Sequence, residues 1–199
     1  MAITRERFQS GLTYDQYKAQ MTRNQERFEA NEQKAPLTPA DVEAFKRLPK
    51  PLDVLVLAED WCGDVIAYLP ILGRLVKESG KLNVRVFLRD QNLDIMDQYL
   101  NQGQFRSIPV FVFFDERFNE VGRFIERPAT VTQLRMQKQE ELYAKHPEFG
   151  APGAPVDQLP EDVRAKLSQV MAQVRDDIAP FGAAQAVHQL RIIAEQLTR

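Results

Sequence analysis

The sequence predicts an α/β fold in which a central mixed sheet is flanked by helices, with helical extensions at both ends. Three observations support this prediction. Short apolar runs rich in β-branched and aromatic residues alternate, in the middle of the chain, with runs whose apolar residues recur at helical spacing. The last two short runs are joined by a brief turn, which predicts a hairpin. Only helical periodicity is present at the two ends of the 199-residue chain.

Composition narrows the class of protein before any motif is considered. Hydrophobic residues make up 44% and charged residues 27%, as in ordinary soluble globular proteins. The 26 basic residues nearly balance the 28 acidic ones, so no basic field is present to attract nucleic acid or anionic lipid. The N-terminus lacks the apolar stretch of a secretory signal, and no apolar run is long enough to span a bilayer. We therefore expect a cytoplasmic protein without nucleic-acid or membrane partners.

Residues 1–48 predict a helical N-terminal extension. A narrow apolar stripe runs through its first half, and Thr38-Pro39-Ala40-Asp41 is typical of a helix start with proline in the first turn. Pro49-Lys50-Pro51 then ends the helical segment. The stripe consists of Leu12, Tyr14, Tyr17, Met21 and Phe28.

Residues 49–145 predict the α/β domain, in the order β-α-β-α-β-β-α. The first strand, 54–58, is short and β-branched, which suits a strand buried on both faces. Pro70 interrupts the helical pattern of the following segment and predicts a kink there. The remaining elements are a helix at 65–79, strands at 82–88, 109–114 and 120–125, and helices at 93–100 and 131–144.

The C-terminal region predicts a linker followed by more helix. Residues 146–158 are rich in proline and glycine, which is typical of a linker. Residues 159–199 predict a helical hairpin that turns at Pro180-Phe181-Gly182. The amphipathic faces of the extensions would allow a homo-oligomer to form through them.

Cys62 is the only cysteine, so the sequence excludes an intrachain disulfide and a metal cage built of cysteines alone. It lies between the first strand and the kinked helix, in the segment Asp60-Trp61-Cys62-Gly63-Asp64. At a helix N-terminus, unpaired N–H groups and the helix dipole favour the thiolate, which is the nucleophilic form. Burial as a small hydrophobic residue is the alternative for a free cysteine.

Residues 50–145 resemble the thioredoxin family, whose motif Trp-Cys-Gly-Pro-Cys occupies the same strand-to-helix junction. Trp61, Cys62 and Gly63 match its first three positions, and Pro70 falls where the family kinks its active-site helix. The segment 106–110 looks like the one that carries the family's cis-proline. The resemblance implies a thioredoxin-like fold, a cis peptide bond between Ile108 and Pro109, and an Ile108 backbone free to pair with an extended substrate.

Trp61 has two interpretations that the sequence leaves open. It is either a core aromatic residue or a flat contact surface for a bound peptide or thiol beside Cys62. Pro109 also has a structural alternative, as the entry residue of a strand, where a missing N–H is tolerated. For Pro109 the resemblance favours the functional interpretation, and the candidate substrate-binding residues are Trp61, Gly63, Ile108 and Pro109.

Departures from the family motif limit the chemistry. Asp64 replaces the motif's proline, Val65 replaces its second cysteine, and Val56 replaces the acid that the family buries six residues before the first cysteine. Without a second thiol to break the mixed disulfide, the chain cannot be a self-sufficient disulfide reductase. The segment after Cys62 does not match the Cys-Gly-Phe-Ser motif of monothiol glutaredoxins either. Glutathione or iron–sulfur binding is therefore not implied, and no cofactor is expected.

The polar residues around Cys62 allow more than one role. Asp64 either relays a proton to a leaving thiol or caps the helix, and capping is favoured because acids are common at helix starts. Capping is favoured for Asp60 as well. His146 and His188 have no cysteine or carboxylate at ligand spacing, so they predict surface or packing roles and no metal site.

The resulting function hypothesis is a monothiol thiol-disulfide oxidoreductase. Cys62, with Asp64 as the second catalytic candidate, would exchange with a protein or low-molecular-weight disulfide, and an external thiol would regenerate it. The main alternative is a redox-inert binding module that retains the fold and the peptide groove. A third hypothesis is a redox sensor in which Cys62 is oxidised to sulfenic acid or capped by a small thiol.

Overall fold

A computed structural model describes residues 3–198. Met1 and Ala2 of the predicted N-terminal extension, and Arg199 of the predicted hairpin, lie outside the described residues. The helices are α1 (Arg5–Gln9), α2 (Tyr14–Gln20), α3 (Gln25–Lys34), α4 (Pro39–Lys46), α5 (Gly63–Ser79), α6 (Leu93–Met96), α7 (Ala129–Lys145) and α8 (Glu161–Gln196). The strands are β1 (Leu52–Ala58), β2 (Leu82–Leu88), β3 (Val110–Phe114) and β4 (Glu120–Ile125).

The four strands form one mixed sheet in the order β2-β1-β3-β4, which confirms the predicted fold class. β1 pairs in parallel with β2 and antiparallel with β3, and β3 and β4 form the expected antiparallel hairpin. The central strands are fully covered: Val54 and Leu55 of β1 and Phe111 and Val112 of β3, which alternate between the two faces, have no exposed surface. Their continuous apolar runs therefore reflect burial on both faces of the sheet.

The helix predicted at 93–100 ends earlier than expected. α6 stops at Met96, because Gln98 and Tyr99 donate their N–H groups to carbonyls three residues back. This is the tight pattern of a 3₁₀ turn, and it terminates the helix.

The chain divides into two compact units, and their limits differ from the predicted domain boundaries. The first contains the described residues up to Arg127 together with those from Ala186 onward, and the second spans Pro128–Gln185. The N-terminal helices belong to the unit that contains the sheet, because their apolar side chains supply part of its core. Tyr17 and Phe28 are each about 1% exposed or less.

A backbone bridge and a buried carboxylate are among the contacts that attach the N-terminal helices to this unit. Leu12 forms an isolated antiparallel bridge with Val86 of β2, in which each backbone N–H donates to the other residue's carbonyl (2.9 and 2.7 Å). Glu32 of α3 is buried between Lys18 and Lys77, with both ammonium groups 2.6 Å from its carboxylate. These residues are thus integral to the folded unit.

Asn31 of α3 compensates for the proline inside α5. Pro70 has no N–H, so the carbonyl of Ile66, four residues earlier, lacks its usual helical donor. The side-chain Nδ2 of Asn31 donates to that carbonyl at 2.8 Å in a partly buried setting. The N-terminal extension therefore satisfies a backbone group at the predicted interruption of α5.

Replacing Asn31 with alanine is expected to lower the free energy of unfolding by about 1–2 kcal/mol, because it leaves a partly buried carbonyl without its donor. Urea denaturation followed by circular dichroism measures the change. Gln33→Ala, at an exposed position of the same helix, is the matched control and should change stability by less than about 0.5 kcal/mol. Equal effects of the two substitutions would contradict this role for Asn31.

The second unit has its own small hydrophobic cluster. Leu142 of α7, Phe149 of the following segment and Leu167 of α8 are buried together. Residues 146–158, predicted as a linker, therefore contribute a core residue to this unit. The cluster is completed by the partly buried Tyr143, Leu159, Val163, Val170, Met171 and Val174.

The predicted C-terminal hairpin is wrong, because α8 runs without interruption from Glu161 to Gln196. Pro180 lies inside this helix. A proline removes one backbone hydrogen bond but does not by itself reverse the chain, so helical periodicity on both sides is accommodated in one long element. No helix in residues 3–198 is both long and apolar enough to cross a membrane.

Candidate functional site

Cys62 is the residue at which β1 gives way to α5. It is the N-cap of the helix and has extended backbone angles (φ −83°, ψ 120°), and its carbonyl accepts the N–H of Ile66 at 3.1 Å. Its own N–H donates to the carbonyl of Glu59 at 3.2 Å, which closes the turn between strand and helix. The side chain is partly buried. Next to it, Gly63 is exposed, and no atom lies within 4 Å of where its Cβ would be, so the approach on that side is open.

The structure brings Cys62 together with Ile108 and Pro109, which lie 46 and 47 residues further along the chain. The thiol donates a hydrogen bond to the carbonyl oxygen of Ile108, with Sγ and O 3.5 Å apart. The peptide bond between Ile108 and Pro109 is cis, and both residues are buried. The sulfur is therefore adjacent to the backbone of the residue that precedes the cis-proline.

Trp61 is exposed beside the cysteine, with 43% of its surface accessible, so it is not a core aromatic residue. The guanidinium of Arg89 lies over its ring, 4.9 Å from the ring centroid. Arg89 is itself held by the carboxylate of Asp90 and by the carbonyl of Arg106, to which its Nη1 donates at 3.1 Å. This cation–π contact fixes one face of the indole and leaves exposed aromatic surface at the site.

Asp64 is buried, and its carboxylate is bound to Arg127, the second residue after β4. Nε and Nη2 of Arg127 donate to the same oxygen of Asp64 at 3.0 and 2.5 Å. The N-cap of α5 is Cys62, which makes no side-chain capping bond. The structure thus gives Asp64 an ion-pair partner from a distant part of the chain.

The predicted capping role of Asp60 is corrected by the structure. One oxygen of its carboxylate accepts from the backbone N–H and the hydroxyl of Thr22, at 2.7 and 3.1 Å, and from the N–H of Arg23 at 3.1 Å. The carbonyl of Asp60 accepts from Asn24 at 2.8 Å. Asp60 therefore fastens the turn between α2 and α3 beside the cysteine, and it does not cap α5.

Burial raises the pKa of the Cys62 thiol above that of a free cysteine. The N–H groups of Val65 and Asp64 favour the thiolate and oppose this change, while the carboxylate charge of Asp64 adds to it and the guanidinium of Arg89 opposes it. The helix N-terminus is present as predicted, but desolvation of the sulfur outweighs its effect. At neutral pH the thiol form consequently predominates more strongly than in an unstructured peptide.

Two further ionisable groups, Glu59 and Tyr17, lie near the site, and no local sequence pattern predicts that they do. Glu59, at the end of β1, is largely buried, and its carboxylate accepts the N–H of Asp90 at 2.8 Å. Burial raises the pKa of Glu59. The hydroxyl of Tyr17 is buried and has no hydrogen-bond partner within residues 3–198, and burial followed by the charges of Asp60 and Glu59 raises its pKa. The sequence marked Tyr17 only as part of an apolar stripe.

The positions that depart from the family motif lie in the core. Val56 and Val65 have no exposed surface. Among residues 3–198, no group of three or more histidine, cysteine, aspartate or glutamate side chains is placed to hold a metal ion. His146 contacts the Glu148 carboxylate at 3.0 Å and stacks on Phe149.

Comparisons with known proteins bear on the family and the fold. The model of a family described as thioredoxin matches residues 11–141. A crystal structure of a protein of unknown function from Pseudomonas aeruginosa is 22% identical, covers 98% of this chain and 99% of its own, and superposes with a TM-score of 0.66. An HIV epitope scaffold is 19% identical over 98% of this chain and 99% of its own, with a TM-score of 0.65.

A thioredoxin from Fasciola hepatica is 27% identical over 54% of this chain and 92% of its own, with a TM-score of 0.33. No curated protein matches the chain.

Proposed function

The chain belongs to the thioredoxin family, and from that premise we propose that it carries out thiol-disulfide exchange with Cys62 as its single nucleophile. In the first step the Cys62 thiolate attacks a disulfide, forms a mixed disulfide with one half and releases the other half as a thiolate that takes up a proton. In the second step an external thiolate attacks the substrate sulfur of the mixed disulfide and releases Cys62. The net reaction exchanges one thiol for another, so no separate oxidant or reductant is needed.

The observation that carries the proposal is the position of Sγ, 3.5 Å from the carbonyl oxygen of Ile108 and beside the cis peptide bond to Pro109. A disulfide substrate bound in extended form next to this backbone would lie against the sulfur. The exposed face of Trp61 offers apolar contact area for the same substrate. Because buried Val65 stands where a resolving cysteine would be needed, the second thiol has to come from outside the chain.

The raised pKa of Cys62 predicts how this reactivity depends on pH. The thiolate fraction at pH 7 should be smaller than that of free cysteine, so alkylation by iodoacetamide should be slower at pH 7 and should rise through a midpoint above that of free cysteine. Alkylation quenched at set times and followed by intact-protein mass spectrometry, from pH 6 to pH 10, measures the rate as a function of pH. A free cysteine peptide measured in parallel gives the reference.

Two variants test whether the pH profile reflects the Cys62 thiol and its surroundings. Cys62→Ser should abolish all alkylation, since no other thiol is present. Asp64→Asn should shift the midpoint to lower pH, because it removes a negative charge that disfavours the thiolate. A midpoint at or below that of the free peptide would contradict the burial described for the sulfur.

Turnover tests the function itself. With hydroxyethyl disulfide as substrate and excess small thiol, the protein should accelerate exchange above the uncatalysed rate, and the mixed disulfide on Cys62 should be detectable by mass spectrometry. The Cys62→Ser variant should give only the uncatalysed rate. Equal rates with the native protein and this variant, together with no detectable adduct, would exclude the proposed exchange.

A redox-inert binding module is the second candidate, and the raised pKa of the Cys62 thiol favours it. In this case the exposed surface around Trp61 binds a peptide and the thiol has no chemical role. Pulldown with native protein, Cys62→Ser and Trp61→Ala separates the two candidates. Retention of the same partners by Cys62→Ser and their loss with Trp61→Ala would favour the binding module.

A further inference from the structure

The unit Pro128–Gln185 contains a cavity of about 530 Å³ that is open to solvent and includes no residue of the Cys62 site. α7, the segment after it and α8 all contribute to its lining. Its volume falls in the range of small-molecule binding pockets. Nothing in the thiol chemistry proposed for Cys62 assigns a role to this cavity.

Apolar side chains make up part of the lining of this cavity. Leu167 is only 5% exposed, and Tyr143 and Met171 belong to the same hydrophobic cluster. Val156, which lines the cavity from the segment between the helices, exposes 43% of its surface. A ligand with an apolar body would cover this surface and gain from removing it from water.

The charged groups at the cavity are both arginines. Arg164 and Arg175 line it, and no acidic residue does. Within residues 3–198 neither guanidinium has an ion-pair partner, whereas other cations of the same unit are paired: Lys138 with Glu141, and Lys166 with Glu148. The lining therefore carries two exposed positive charges that form no ion pair within residues 3–198.

The helix geometry places these two charges on the same face of α8 as the apolar residues of the lining. Arg164 and Arg175 are eleven residues apart, which is about three turns, so they lie on the same face of α8 roughly 16 Å apart along its axis. Leu167 and Met171 fall between them on that face. Ser168 and Gln139 add neutral hydrogen-bonding groups to the lining.

We propose that this cavity binds a small amphipathic organic anion, namely a carboxylate with an aliphatic body. The aliphatic part lies on Leu167 and Met171, and the carboxylate accepts hydrogen bonds from the guanidinium of Arg164 or Arg175. Arginine suits this role because its planar guanidinium pairs with a carboxylate through two parallel hydrogen bonds.

Calorimetric titration of the full-length chain with dodecanoate, below its micellar concentration, tests the proposal. We expect saturable binding with one ligand per chain, and about tenfold weaker binding for Arg164→Gln or for Arg175→Gln. Lys145→Gln, which removes a positive charge from the same unit but not from the cavity lining, should bind as the native protein does. Dodecyltrimethylammonium, which has the same chain length and the opposite charge, should not bind.

One further variant and a vesicle assay complete the test. Ser168→Trp, at an exposed helix position, should fill the cavity and abolish binding while circular dichroism shows an unchanged fold. No saturable binding of dodecanoate, equal binding of the cation, or indifference to both arginine substitutions would each overturn the proposal. Co-sedimentation with phosphatidylglycerol vesicles that requires Arg164, without binding of dodecanoate, would assign the cavity to a lipid surface and also overturn it. The exchange activity of Cys62 is measured separately and is expected to be the same in all of these variants.

Discussion

Replacing Arg127 with methionine is expected to lower the free energy of unfolding by about 3 kcal/mol. Asp64 is only 8% exposed, and the substitution takes away the guanidinium whose Nε and Nη2 donate to its carboxylate. Removing one partner of a buried ion pair costs about 3–5 kcal/mol, because the remaining charge stays in a poorly solvated site. The lower end of that range applies, since the Arg127 side chain retains 19% exposure. Urea denaturation followed by circular dichroism measures the change.

A surface arginine and a double variant provide the comparison for Arg127. Arg123 pairs with Glu120 but is 52% exposed, so Arg123→Met should cost less than about 1 kcal/mol. Combining Arg127→Met with Asp64→Asn should recover part of the lost stability, because the charge left in the buried site is removed as well. If Arg127→Met were no more destabilising than Arg123→Met, the ion pair with Asp64 would not contribute to stability as described.

Replacing Gly73 with alanine is expected to destabilise the protein by about 2 kcal/mol. A Cβ at this position of α5 would lie 2.0 Å from the hydroxyl oxygen of Tyr14 and 2.1 Å from its Cζ. Tyr14 is 5% exposed, so its ring has little room to move. Overpacking of this kind costs about 1–3 kcal/mol, and the clash outweighs the gain of up to about 1 kcal/mol that alanine normally brings to a helix. Denaturant unfolding gives the difference in free energy.

A second substitution tests whether Tyr14 causes the effect of Gly73→Ala. In the Tyr14→Leu background the shorter side chain leaves space for the new methyl group, so the same alanine should be neutral or stabilising there. Gly63→Ala is the matched control, because no atom lies within 4 Å of its added Cβ, and its effect should stay below about 0.5 kcal/mol. An unchanged penalty in the Tyr14→Leu background would contradict the contact between α2 and α5.

The sheet and α5 could be predicted from sequence because their signals are local. β2 (Leu82–Leu88) and β4 (Glu120–Ile125) have the predicted bounds. The alternation of apolar and polar residues lies within each segment, and turn residues lie directly beside it. The junction at Cys62 was also predictable, because a strand ending beside Trp61 and a helix interrupted at Pro70 follow one another directly in the chain.

The partners of the polar residues could not be predicted from sequence, because they are brought together only by the tertiary fold. Asp64 and Arg127 are 63 residues apart, and Asp60 meets Thr22 across 38 residues. The pKa of Cys62 was unpredictable for the same reason: the helix N-terminus is visible in the sequence, whereas the burial that outweighs it depends on packing. At Pro180 the local sequence predicted a turn that the structure does not contain, because the helix continues through this residue.

The bridge between Leu12 and Val86 has a consequence for association. β2 is an edge strand of the sheet, and an uncovered edge offers free N–H and C=O groups to any other strand. At Val86 both groups are already occupied by Leu12 of the same chain. A shortened version beginning after residue 48 would expose this edge to the solvent and invite strand-to-strand aggregation. The segment that precedes the sheet thus protects this edge strand from pairing with strands of other copies of the chain.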